Sequence, residues 1–166
     1  MSTEQTVPDE IMTAMAKAVE QGRAGDTRAA REALEQLWES VGDHGDALHR
    51  CSIAHYAADL QETVTDELMW DERALAAVTD LTDERARKYH DSLQVRAFLP
   101  SLHLNLADAH RRAGNATEAQ HHLAAATETV HLLPDDEYGQ MIRAGIAKNH
   151  AALGENAPTQ PPPHRQ

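Results

Sequence analysis

Eleven histidines in a chain of 166 residues put imidazole chemistry first among the reactions this sequence could support. His55 and Asp59 stand at i, i+4. On a helix they share a face, a spacing that holds a divalent cation or forms a charge-assisted hydrogen bond. His103 completes the best metal-ligating trio, His55, Asp59 and His103. A metal centre needs three or four ligands aimed at one point. The sequence has no HExxH and no Glu-x-x-His pair repeated on facing helices. The expectation is therefore no metal and no cofactor. His121 and His122 are adjacent, so they diverge on a helix and read as surface or rim residues. Cys51, the single cysteine, lies in an apolar helical context and reads as inert packing. Without a Gly-x-Ser-x-Gly, a phosphate-cradling glycine loop or a nucleophile–base spacing, no catalytic residue is assigned.

Helices must position these groups. Ile11, Met12, Met15, Ala18 and Val19 keep helical spacing behind Pro8, with Gly22 and Gly25 as breaks. A second helix, capped by Asp26 or Thr27, carries Ala30, Ala33, Leu34, Leu37, Trp38 and Val41 on one face. A third spans about Asp46–Leu60, and a fourth starts at Thr65 or Asp66 after a turn without glycine. An extra helix over Asp83–Ala97 is expected, then a break or kink near Phe98–Pro100, where the next helix starts, because an interior proline removes a backbone bond. Residues 101–134 form two helices joined at Ala113-Gly114-Asn115, with Asn115 and Glu118 as a capping pair. A last helix, opened by Asp135 or Asp136, has Met141, Ile142, Ile146 and Leu153 as its stripe.

The small residues Ala107, Ala119 and Ala126, the turn glycine and the closing Pro134 give residues 101–134 a pattern that resembles the tetratricopeptide repeat, a helix–turn–helix unit of about 34 residues. Ala18, Gly25, Ala30, Leu34 and Leu37 keep the spacing of Ala107, Gly114, Ala119, Leu123 and Ala126. The resemblance is partial over 47–81. It implies an all-α fold: antiparallel hairpins of about seven helices stacked as a short TPR-like α-solenoid, ending in a capping helix over 138–153. It also implies an adaptor whose concave groove, lined by the first helix of each hairpin, binds a protein or peptide segment. On that layout Leu48, His55, Asp59, Asn105, Asp108 and Arg112 face the groove, with Arg96 nearby and Trp70 and Tyr56 as aromatic walls. The family's clamp for chaperone C-termini uses Lys, Arg and Asn. Met15, Val19, Ser52, Ser101 and Asn105 stand at those positions, and only Asn105 is of the clamp's residue types.

Composition narrows the partner. Net charge is −12, and nine acids crowd Asp59–Glu84 against Arg73 alone. That field repels nucleic acid and anionic lipid and favours a basic or polar segment. With 4% aromatic residues and few β-branched runs, strands are not expected. No signal peptide or membrane span is read, so the expected location is cytoplasmic. The expected organisation is a loose 1–7, a helical domain over 8–153 and a proline-rich disordered tail over 154–166. The other readings are a small-molecule- or metal-dependent enzyme in the same groove, or a self-association module forming a homodimer.

Overall fold

The structure, a computed structural model, describes residues 9–82, 84–85 and 98–156, without the side chains of 155 and 156. Arg96, most of the expected helix over 83–97, and the residues at both ends lie outside the described residues. Seven α-helices have described bounds, and there is no strand among the described residues. No described helix is long and apolar enough to cross a membrane.

Helix α1 spans Glu10–Arg23. Asp9 starts it: its carboxylate accepts from the Met12 N–H at 3.1 Å, satisfying a backbone donor the helix cannot. Gly22 does not break it. Lacking a side chain, it lets Ala30 Cβ and a Leu60 methyl approach to 3.3 Å of where its own Cβ would stand. The turn follows at Gly25 (φ 102°). There the Gly25 N–H donates to Gly22 O and the Asp26 N–H to Gln21 O, both at 3.1 Å, the paired bonds of a Schellman stop. Helix α2 spans Thr27–Val41 and ends at Gly42, φ 75°.

Helix α3 spans Ala47–Ala58, with Asp46 accepting from the Leu48 and His49 N–H groups at 2.9 and 3.2 Å. Helix α4 spans Val64–Asp80. It begins at Val64 rather than at Thr65 or Asp66, because the Thr63 hydroxyl caps it through the Asp66 N–H at 3.2 Å. Thr82 then accepts from the Arg85 N–H at 3.1 Å, another helix start. Helix α5 spans Leu99–Arg112. Pro100 sits in its first turn, where its missing N–H removes no helical bond, so the helix starts where the proline was expected to start it.

Helix α6 spans Ala116–Thr129, continued by a 3₁₀ turn over Val130–Leu132. Its entry repeats the α1–α2 turn: Gly114 has φ 83°, the Gly114 N–H donates to Arg111 O at 3.1 Å, and the Asn115 N–H to His110 O at 2.8 Å. Asn115 occupies the cap position but makes no side-chain cap bond. Its amide lies 3.3 Å from His110 Nδ1 instead, which corrects the expected Asn115–Glu118 pair. Helix α7 spans Glu137–Asn156, and Asp136 accepts from the Gly139 N–H at 2.8 Å. Its buried stripe is Ile142, Ile146 and Leu153; Met141 is 60% exposed, one residue off the face that packs.

Consecutive helices α1 and α2, α3 and α4, and α5 and α6 pack together; α2 also meets α3, α4 meets α5, and α7 covers α5 and α6. The apolar interior falls into two clusters. One joins α1–α4 through Leu34, Leu48, Ile53, Trp70 and Val78, with Leu102 reaching in from α5. The other joins α5–α7 through Leu104, Leu123, Leu133, Ile142 and Ile146. Buried alanines (Ala30, Ala74, Ala77, Ala107, Ala119, Ala126) let helix axes approach closely.

Candidate functional site

A cleft of about 280 Å³ opens between α1, α3 and α5. Met12 and Met15 of α1, Leu48 of α3, and Leu102 of α5 supply its apolar lining, and Phe98 and Tyr138 edge it. Ser52, His55, Tyr56 and Ser101 add polar groups. Its volume is at the small end of ligand sites, enough for one or two side chains. Methionine suits such a surface because its unbranched stem repacks around different shapes. Cys51 borders the cleft but is 1% exposed. Burial pushes its thiol up to about 12, so it stays a protonated, unreactive apolar group.

The polar residues singled out from the sequence divide between this cleft and an adjoining charged seam. His55 lines the cleft, and its Nδ1 lies 3.3 Å from the Asn105 amide nitrogen. An amide N–H donating there places the ring's own proton on Nε2. Burial holds the imidazole below its ordinary value, against the opposing pull of Asp59. Asp59 borders a neighbouring hollow with Val19, Gly22 and Arg23. Packed surroundings first, and then Glu67, raise its carboxyl, while His55 opposes. The residue is open to water on one side, which limits that rise. Asp108 turns away from the cleft and takes Arg111 at 2.9 Å and Arg112 at 2.8 Å. These guanidinium groups hold it below the usual carboxylate range against the effect of burial. Arg112 also donates to Glu67 at 2.5 Å, so its guanidinium is already committed to two carboxylates.

Trp70 does not wall the cleft. It is buried and meets Trp38 edge to face at 5.4 Å, with the Arg73 guanidinium 4.6 Å above it, a packed seam between α2 and α4. His103 does not join His55 and Asp59: its Nδ1 lies 3.1 Å from His122 Nδ1. The candidate trio is therefore split between two places.

Two features escaped the sequence reading. Asp71 is 1% exposed, and neither carboxylate oxygen has a hydrogen-bond partner among the described residues. Burial above all, then Glu67, Asp59 and Asp108, pushes its carboxyl up to about 8, so it is a neutral acid at pH 7. Its spacing to Ala74 and Val78, on the buried stripe of α4, was the available signal. The second is a junction at the helix starts. Asp9 binds His49 Nε2 at 2.7 Å, and Arg85 reaches both Asp9 and Asp46. The two capping carboxylates thus anchor a residue far along the chain, which no local spacing announces.

Compared with family models, with curated proteins and with solved structures, the chain matches none.

Proposed function

We propose that this chain is a helical-repeat adaptor, resembling a short tetratricopeptide stack, that binds a segment of a partner protein in the cleft between α1, α3 and α5. The observation that carries this reading is the cleft itself. It is lined by apolar groups (Met12, Met15, Leu48, Leu102) together with polar ones (Ser52, His55, Tyr56). It lies where three alternate helices of the chain meet. The repeated glycine turn before α2 and before α6 supports a repeat origin for the hairpins. A volume of about 280 Å³ suits an apolar anchor side chain, with nearby Asp59 and the net charge of −12 favouring a basic neighbour in the same segment.

Selection of a random displayed peptide library on the purified chain tests this. Enriched peptides are expected to share an apolar anchor flanked by Lys or Arg. They are expected to lose binding to Ser52→Arg, which puts bulk and like charge in the cleft, while the variant keeps its helical circular dichroism. No enrichment, or peptides that bind the variant equally well, overturns the reading.

A further inference from the structure

We propose a divalent-metal site on the α5–α6 hairpin, with His110, Glu118 and His122 as its protein ligands and Zn²⁺ as the ion it suits best. One ligand atom from each of these residues lies within 4.8 Å of the other two. An ion with bonds of about 2.0–2.2 Å sets its ligand atoms about 3.3 Å apart, so closing the site takes a swing of Glu118 and a turn of one imidazole out of the near-parallel arrangement of His110 and His122. Glu118 is exposed and free to make that swing.

The three residues are placed by independent constraints. Glu118 and His122 stand at i, i+4 on α6 and share a face. His110 is 8% exposed near the end of α5. Its backbone carbonyl is held by the Asn115 N–H at 2.8 Å, the bond that closes the glycine turn. The turn therefore fixes the distance between the helices and, with it, between the ligands. Both imidazoles also have orienting neighbours. His103 Nδ1 meets His122 Nδ1 at 3.1 Å, which leaves Nε2 of His122 as the nitrogen without that partner. The Asn115 amide nitrogen lies 3.3 Å from His110 Nδ1; once that amide turns over on metal binding, its oxygen accepts the Nδ1 proton and leaves a lone pair on Nε2. Such outer partners set the tautomer and aim of ligating histidines. The rings of His103 and His110 lie alongside His122 at 5.4 and 5.5 Å, inclined to it by 30° and 5°.

Two imidazoles and a carboxylate suit borderline transition ions rather than Mg²⁺ or Ca²⁺, which take oxygen ligands. Three protein ligands on a partly exposed hairpin also leave a coordination position open to water or to a ligand atom from outside.

The test uses the full chain without a tag, stripped with a chelator. Titrated Co²⁺ is expected to give visible d–d absorption saturating at one equivalent, which Zn²⁺ then removes. Calorimetry is expected to show Zn²⁺ affinity falling at least about tenfold in Glu118→Gln and in His122→Asn, with helical content unchanged, and staying constant in His44→Ala. No cobalt spectrum, or binding that survives both ligand variants or vanishes with His44, overturns the site.

Discussion

His103 and His122 face each other between α5 and α6 with Nδ1 atoms 3.1 Å apart. One nitrogen must donate and the other accept, so the pair exists only while at least one ring is neutral. Desolvation first, then the neighbouring imidazoles of His103, His110 and His121, hold His122 down at about 4. Desolvation likewise lowers His103.

This pair makes the fold acid-sensitive in a defined window. His122 titrates near 6.5 when unfolded and about 4 when folded. Its contribution is therefore complete above pH 6.5, declines as pH falls between those values, and is gone below about 4. Because the ring is part exposed, we expect about 1–2 kcal/mol rather than the full conversion. Urea midpoints for the wild type and His122→Gln, taken from pH 7.5 to 4.5, are expected to converge towards acid. Parallel curves would show that the ring is not desolvated.

Asp71 has the opposite sign. Its folded carboxyl titrates at about 8 against an ordinary 3.8, so stability is complete below pH 3.8 and is lost progressively as pH rises towards 8. Asp71→Asn is expected to stabilise the chain by about 1–3 kcal/mol at pH 8, with the gain shrinking towards zero at pH 4. Denaturant unfolding at the two pH values checks it; a loss of stability at pH 8 would reveal a partner for the carboxylate.

Gly25 and Gly114 do the same job in two turns, at φ 102° and 83°. Alanine at either is expected to destabilise by about 1–2 kcal/mol. Gly154 lies in α7 with open space around its missing Cβ. Gly154→Ala is expected to stabilise by about 0.5–1 kcal/mol through helix propensity alone. Thermal melts of the three variants separate backbone strain from propensity.

The helices were legible because their signals are local. The spacing of Met12, Met15 and Ala18, the Asp46 cap and the Gly114 turn are all read within a few residues. What failed depended on distant partners. Glu118 has the spacing of a capping residue, yet it stands beside His110 and His122, because the turn before it swings the neighbouring helix alongside. His103 looked like a partner for His55, but α6 offers His122 closer. Trp70 read as a binding wall, and only the tertiary fold brings Trp38 of α2 against it. Asp71 was hidden among acids that do face water, since charge count says nothing of which one turns inward.

The apolar interior is divided, and a run of ions bridges the division. Glu67 of α4 binds Arg112 of α5, Arg112 shares Asp108 with Arg111, and Arg111 reaches Asn149 of α7 at 3.0 Å. Oily contact holds each half together, whereas part of what couples them is Coulombic and sits near solvent. Dissolved electrolyte weakens that kind of attraction within a Debye length of about 8 Å at physiological strength. The Glu67–Arg112 part of the coupling between the halves thus depends on the surrounding medium, whereas Leu102, packed across the division, holds on in brine.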